Sequence, residues 1–240
     1  MIDLIRLVQP QTVFVELDST RASQLRNSGS NSSNSSAKDA SSPSFDLSTI
    51  TSHPLFSQLT SNKAGLGLPN NFLQIIENAP SLLKKIGWFP QQGGEMKAAL
   101  EEADRIGARC VYGDIEFSQT MNEMKSSIGG IIANPAQLSN LQYPSGDIMN
   151  IFSGLLSGQS DPRQFVESIK TRERSQQITK YLQQSFPSVY NVMITKRDAH
   201  MARMLRQHCS NGKVVAVVGL AHVEGIEREW EELGKQQRIA

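Results

Sequence analysis

The sequence predicts an α/β fold with a mainly parallel sheet and flanking helices. Three short runs rich in β-branched and apolar residues predict its strands, over residues 11–17, 109–114 and 213–218. Segments with the apolar spacing of helices separate these runs, and such alternation is typical of parallel sheets. The third run, from Lys213 to Val218, is almost wholly apolar, so we expect a strand that is buried on both faces.

Helical spacing of apolar residues predicts the elements around these strands. It runs through seven segments: residues 2–8, 21–26, 93–106, 118–132, 162–184, 187–209 and 223–235. Asp18, Ser19 and Thr20 offer caps for the second of them. Shorter helical pieces are expected over 46–59, 71–78, 81–87 and 146–158, as a helical insertion. A parallel sheet normally begins with a strand, so an opening on a helix is unusual.

Length and composition favour one domain and argue against nucleic acid as a partner. The 240 residues, 38% of them apolar, can build one full core, and we predict a single domain over 1–236 with a tail at 237–240. Residues 27–44, mostly serine and asparagine, are predicted to be a disordered insertion within it. The net charge of +1 gives no field that favours nucleic acid.

The cellular compartment is predicted from cysteines and from apolar segments. Two cysteines without metal spacing favour a reducing, intracellular location. The N-terminus lacks the long apolar core of a secretory signal. Residues 148–156 are too short for a membrane span, which needs roughly 20 residues. We therefore expect no transmembrane segment in this chain.

Four residues stand where the predicted strands end or a helix begins. Glu16 ends the first strand, Asp114 follows the second, and His222 follows the third, while Glu95 opens a helix after two glycines. Ligands of open α/β sheets bind at the carboxyl ends of the strands. Carboxylates and a histidine at that edge suit a divalent metal or a general acid and base.

Each of the four residues also has a simpler interpretation. Glu16 would be a surface carboxylate, Asp114 a turn residue that bonds its own backbone, and Glu95 a partner of the helix dipole. His222 would cap or pack without touching a ligand. His200 and His208 lie on an arginine-rich helix, for which a solvated face is the better interpretation.

Several segments, in this order, make the chain resemble the TraB family, and most closely its eukaryotic TraB domain-containing proteins. They are Val13–Leu17 with Arg21, Gly93–Glu95, Gly113–Asp114, Lys196–Asp198 with Met201 and Leu205, and Val217–Ile226 with Trp230. The resemblance implies a fold shared with erythromycin esterase, ChaN proteins and the TIKI metalloproteases. In TIKI-type relatives, two Gly-x-x-His motifs and acidic residues build a divalent-metal site for peptide hydrolysis.

The resemblance implies a metal site for which this chain supplies half of the histidines. Gly219–His222 matches the second motif, and Glu16 matches the acidic position at a strand end. In relatives, the first motif follows a strand, and that strand precedes the helix that corresponds to residues 2–8 of this chain. We therefore expect an N-terminally truncated domain, a relative without the hydrolytic site, or a partner chain that supplies the strand.

Two functions follow from the resemblance. The first, which we prefer, is a non-catalytic regulator or adaptor that binds a protein partner, in the cytoplasm or at the mitochondrial outer membrane, as in some eukaryotic relatives. The second is a metal-dependent hydrolase of short peptides. In it Glu16 and His222 would bind the metal, and Glu95 or Asp114 would assist or act as the base.

Overall fold

The computed structural model describes residues 1–27, 94–132 and 171–239, and these fall into two compact units. The described residues of the first unit are 1–27, 94–120 and 192–239, and those of the second are 121–132 and 171–191. Of the disordered insertion predicted over 27–44, Asn27 instead ends a helix, and the remainder lies outside the described residues. The short helices predicted over 46–59, 71–78, 81–87 and 146–158 also lie outside them, so these predictions stay open.

The sheet of the first unit confirms the predicted parallel α/β fold. It contains β1 (Thr12–Val15), β2 (Arg109–Tyr112) and β3 (Val214–Val217), in the order β2-β1-β3. Both neighbours of β1 run parallel to it, and Val15 pairs with Tyr112 on one side and Val217 on the other. The three strands therefore end level with one another.

Each of the seven predicted helical segments overlaps at least one described helix. The described helices are α1 (Ile2–Val8), α2 (Ser19–Asn27), α3 (Gly94–Ile106), α4 (Phe117–Ile132), α5 (Arg172–Ser185), α6 (Pro187–Tyr190), α7 (Lys196–His208) and α8 (Leu220–Ile239). A π-helical turn, Asn191–Thr195, joins α6 to α7. Within the second unit, the Tyr181 ring of α5 packs edge-on against the ring of Phe186.

Helices cover both faces of the sheet. Alternate strand residues point to opposite faces, so Val13 and Val15 pack with α1, α2 and α3, whereas Phe14 packs with α7 and α8. The first core contains Ile5, Ala22, Ala99, Leu100 and Ala103, and the second contains Met201, Ala202, Leu205 and Ile226. Burying these side chains is the main term that holds the sheet between its helices.

Two predicted details are wrong. β3 is not buried on both faces: Ala216 is exposed and Val215 is its one fully buried residue, because β3 lies at the end of the described sheet. One helix over 162–184 is also excluded, because Thr171 has extended backbone angles and caps α5 through its hydroxyl. None of the helices in the described ranges combines the length and apolar content that a membrane span requires.

Candidate functional site

The carboxyl edge of the sheet brings three of the predicted residues together. Glu16 directly follows β1, Asp114 lies two residues beyond β2, and His222 lies in the first turn of α8 after β3. Since the strands are parallel and end level, these side chains meet at one edge. All three have side chains that are at most 12% exposed.

Arg197 of α7 is at the centre of this group. Its Nη2 donates to Glu16 Oε1 at 2.5 Å and to Asp114 Oδ2 at 2.7 Å. Its Nε donates to Asp114 Oδ1 at 2.9 Å, so the guanidinium binds that carboxylate through two parallel hydrogen bonds. Nη1 reaches the Met193 carbonyl in the π-helical turn at 3.2 Å. One buried cation thus links β1, β2 and α7.

His222 is buried between two carboxylates. Its Nδ1 lies 2.6 Å from Asp198 Oδ1, and its Nε2 lies 3.3 Å from Glu16 Oε1. Burial would lower the pKa of His222, but the charge of Glu16 and the hydrogen bond with Asp198 outweigh burial and raise it to about 9.

The raised pKa means that His222 carries a proton on both ring nitrogens at neutral pH. Nδ1 then donates to Asp198 Oδ1, and the protonated Nε2 forms an ion pair with Glu16 Oε1 at 3.3 Å. Arg197 Nη1, which is also a donor, lies 3.1 Å from Nε2, and an accepting Nε2 would require neutral imidazole. We assign the protonated form, because each ring nitrogen has a carboxylate oxygen beside it, Asp198 Oδ1 at 2.6 Å from Nδ1 and Glu16 Oε1 at 3.3 Å from Nε2.

The two predicted carboxylates are held in their charged forms. Burial would raise the pKa of Glu16, but the charges of His222 and Arg197 outweigh burial and lower it. Glu16 Oε2 also accepts the Gly219 N–H at 2.5 Å. For Asp114, burial is likewise outweighed, by Arg197 and then by Arg21, so its pKa is lowered too. Neither carboxylate is poised to take up a proton near neutral pH.

A second arginine extends the group toward α2 and α4. Arg21 Nη2 donates to Asp114 Oδ2 at 2.5 Å, and its Nε donates to Asp18. Asp18 caps α2 by accepting the Arg21 N–H at 2.9 Å, as predicted, and also accepts the Phe117 N–H at 3.2 Å. The result is a buried cluster of four carboxylates, two guanidinium groups and one imidazolium, which we call the charged cluster: Glu16, Asp18, Arg21, Asp114, Arg197, Asp198 and His222.

Two glycines allow the charged cluster to close. A Cβ at Gly219 would lie 3.0 Å from Glu16 Oε2, and one at Gly225 would overlap the Asp198 carboxylate. Gly225 lies inside α8, where glycine costs roughly 0.5–1 kcal/mol relative to alanine. Its place there is explained by the approach of Asp198, which orients His222.

The structure thus brings together Glu16, Asp114 and His222 of the predicted site. Glu95 is exposed in the first turn of α3, and its catalytic role stays a prediction. Arg197 and Asp198 were missed, because the arginine-rich helix was assigned a solvated face; Arg197 is instead 11% exposed and Asp198 is buried. The signal that could have found them is the Lys196–Asp198 segment, one of those that carry the family resemblance.

A divalent metal fits these residues poorly in the arrangement observed. The point shared by Glu16, Asp114 and His222 is taken by the Arg197 guanidinium, which already neutralises both carboxylates. Both ring nitrogens of His222 already have polar neighbours, Asp198 Oδ1 at Nδ1, and Glu16 Oε1 and Arg197 Nη1 at Nε2. Within residues 1–27, 94–132 and 171–239, no three histidine, cysteine, aspartate or glutamate side chains are arranged to hold a metal ion.

Comparison with known proteins gives matches along almost the whole chain. The model of the TraB/PrgY/gumN family matches residues 4–238. A TraB domain-containing protein of Bos taurus is 25% identical over 249 residues, and one of Homo sapiens is 26% identical over 251 residues. Each alignment covers 96% of this chain and 58% of the relative, so the chain spans a little over half the length of these curated relatives. An uncharacterized protein of Methanocaldococcus jannaschii is 27% identical over 155 residues, 62% of this chain and 35% of the relative.

Proposed function

The chain belongs to the TraB/PrgY/gumN family, and we propose that it is a non-catalytic TraB-domain regulator or adaptor that binds a protein partner. The observation that carries this proposal is the place of Arg197. Its guanidinium fills the point where a catalytic metal or a substrate group would contact Glu16, Asp114 and His222. The family site then serves as a structural centre of the domain.

The hydrogen bonds of the charged cluster support a structural role. Glu16 uses Oε1 for Arg197 and His222, and Oε2 for Gly219. No buried side-chain nitrogen or oxygen in the described part of the chain lacks a hydrogen-bond partner. A metal bound at this point would have to displace a guanidinium that is hydrogen-bonded to two buried carboxylates.

The resemblance to eukaryotic family members guides the choice of partner and place. We propose a protein partner that is met in the cytoplasm or at the mitochondrial outer membrane. The partner would bind without breaking the hydrogen bonds of the charged cluster, because its groups are already engaged with one another.

Metal analysis of the purified chain tests this proposal. The protein is dialysed against Zn²⁺ or Mn²⁺, then against metal-free buffer, and its metal content is measured by inductively coupled plasma mass spectrometry. We expect far less than one equivalent in the wild type, in Glu16→Gln and in the control Glu231→Gln, which alters an exposed residue of α8. One equivalent that Glu16→Gln abolishes and Glu231→Gln keeps would overturn the proposal.

The second candidate function is a metal-dependent peptide hydrolase, favoured by one observation. Glu16 Oε1 and His222 Nε2 lie 3.3 Å apart at the sheet edge where α/β enzymes bind ligands. A peptidase assay with added Zn²⁺, Mn²⁺ or Co²⁺ tests it. Activity that needs the metal and is lost in both Glu16→Gln and His222→Gln would establish this function, and Glu95→Gln would then test the predicted base.

A further inference from the structure

We propose that the edge of β2 that is unpaired within the described sheet binds an extended peptide segment of the partner by strand addition, with a basic side chain of that segment beside Glu116. The inference rests on the proposed function only in taking the partner to be a protein. It concerns a surface outside the hydrogen bonds of the charged cluster. Strand addition uses backbone hydrogen bonds for affinity and alternate side chains for specificity.

The backbone of β2 has two residues that face away from the sheet. Arg109 N donates to Gln11 O at 2.9 Å, and Gly113 N donates to Val15 O at 3.0 Å. In a parallel ladder, alternate residues bond the same neighbour, so residues 109, 111 and 113 face β1. The N–H and C=O groups of Cys110 and Tyr112 therefore point outward, and β2 is the end strand of the described sheet.

A groove runs along this edge. Its volume is about 410 Å³, and all four residues of β2 line it. The facing wall is α7, through His200, Met204 and His208. Clefts that bind ligands typically measure about 300–1,000 Å³. One wall of this groove is the edge of a strand. The backbone groups of that edge repeat at the spacing of a strand, so they can pair with the backbone of an extended peptide.

The side chains of Cys110 and Tyr112 pack against the face of the sheet that carries α1, α2 and α3. There Arg26 donates to the Tyr112 hydroxyl and to Cys110 Sγ. Met204 offers a partly buried apolar surface in the groove. An incoming strand would thus bond the backbone of β2 and place every second side chain against α7.

An exposed carboxylate at one end of the groove favours a basic residue at that end of the peptide. At the carboxyl end of β2 the groove is lined by Asp18, Asp114 and Glu116. Asp18 and Asp114 are buried and paired with Arg21, whereas Glu116 is exposed and has the Ser19 hydroxyl 3.4 Å from its Oε1. Glu116 is therefore the acid at this end that can meet a lysine or arginine of the partner.

Binding of two synthetic peptides tests the proposal on the unaltered chain. Both are fluorescein-labelled heptapeptides of alternating valine and threonine, one with lysine at each end and the other with glutamate, and binding is followed by fluorescence polarisation. We expect the lysine peptide to bind more tightly. N-methylation of one alternate set of its amides should abolish binding, and methylation of the other set should leave it unchanged. No binding by either peptide, or equal effects of the two methylated sets, would overturn the proposal.

Matched protein variants test whether the peptide binds at the edge of β2. Cys110→Pro removes one outward N–H and leaves the ladder to β1, and we expect about tenfold weaker peptide binding, as for a lost hydrogen bond of about 1.4 kcal/mol. Cys110→Ala loses the same thiol and should bind like the wild type. Should Cys110→Pro fail to fold, the methylated peptides still decide the question.

Charge reversal and sedimentation complete the test. Glu116→Lys should invert the preference between the lysine and glutamate peptides, and Glu231→Lys should not. A dimer in analytical ultracentrifugation that Cys110→Pro abolishes would show that a second copy occupies the edge, and would overturn the peptide assignment. Metal content is measured separately, so failure of peptide binding leaves the proposed non-catalytic function standing.

Discussion

Gly225 of α8 packs against the carboxylate of Asp198 so closely that a Cβ at this position would overlap Asp198 Oδ2. Asp198 in turn lies 2.6 Å from His222 Nδ1. The absence of one side chain therefore sets the position of a carboxylate, and that carboxylate sets the orientation of an imidazole. This relationship links the packing of α7 on α8 to the geometry of the charged cluster.

Gly225→Ala should destabilise the domain, by about 1–3 kcal/mol, because Asp198 must move or α8 must shift. Urea unfolding followed by circular dichroism measures the loss. Gly130→Ala is the matched control, since its Cβ meets nothing within 4 Å and the residue is exposed in α4. That change should stabilise the protein, by roughly 0.5–1 kcal/mol. Equal effects of the two substitutions would contradict the packing described here.

Arg197→Met should lower the free energy of unfolding by about 3–5 kcal/mol, because Glu16 and Asp114 would stay buried without their main cation. Arg203→Met, an exposed change on the same helix, should alter it by less than about 0.5 kcal/mol. Urea unfolding of both variants at neutral pH checks the difference. A tolerated Arg197→Met would show that the carboxylates find other partners.

The two predicted catalytic carboxylates should respond differently to neutralisation. Asp114→Asn places an amide against two arginines in a buried position and should cost about 3 kcal/mol or more. Glu95→Gln changes an exposed residue and should cost less than about 0.5 kcal/mol. Thermal melts of both variants beside the wild type measure this. A large loss of stability in Glu95→Gln would show that Glu95 stabilises the fold more than its exposed position suggests.

The charged cluster should make stability fall as the pH rises above 6.5. The folded-state pKa of His222 is raised from 6.5 to about 9, so the stability that it contributes is complete below 6.5 and is lost as the pH rises toward 9. The total loss would be about 3 kcal/mol. Unfolding midpoints from pH 6 to 9 measure it, and His222→Gln should flatten the curve, whereas the exposed His208→Gln should keep its slope.

Stability should also fall at acid pH, with the opposite sign of dependence. The pKa values of Glu16 and Asp114 are lowered by their cationic neighbours. Their contribution is therefore present above the ordinary carboxyl range and is lost as the pH falls through their lowered values. Glu16→Gln should weaken the acid dependence, and unfolding midpoints from pH 6 down to 3 would show this.

Much of the fold could be predicted from the sequence, because local patterns carry it. The β-branched runs placed all three strands within two residues, and apolar spacing placed α1 and α3 almost to the residue. Asp18 caps α2 and is one of the three residues expected to offer a cap, because a cap depends on neighbours in sequence. The burial of β3 was overestimated, since an apolar run does not reveal whether its strand lies at the end of a sheet.

The candidate site was harder to predict, because its contacts span long stretches of chain. The parallel order of the strands sufficed to bring Glu16, Asp114 and His222 together. Arg197 was missed, because an arginine on a charged helix looks the same in sequence whether it faces water or two buried carboxylates. Asp198 was missed for the same reason. Only the packing of α7 on the sheet distinguishes these cases.

The π-helical turn at Asn191–Thr195 fixes the number of residues that this chain can carry between α6 and α7. Each residue advances a helix by about 100°, so a deletion within the turn would rotate α7 about its own axis. Arg197 and Asp198, which are adjacent and face different parts of the charged cluster, would then both miss their partners. Within this segment, a substitution is therefore easier to accommodate than a change of length, and an alignment gap here would mark a relative whose cluster is built differently.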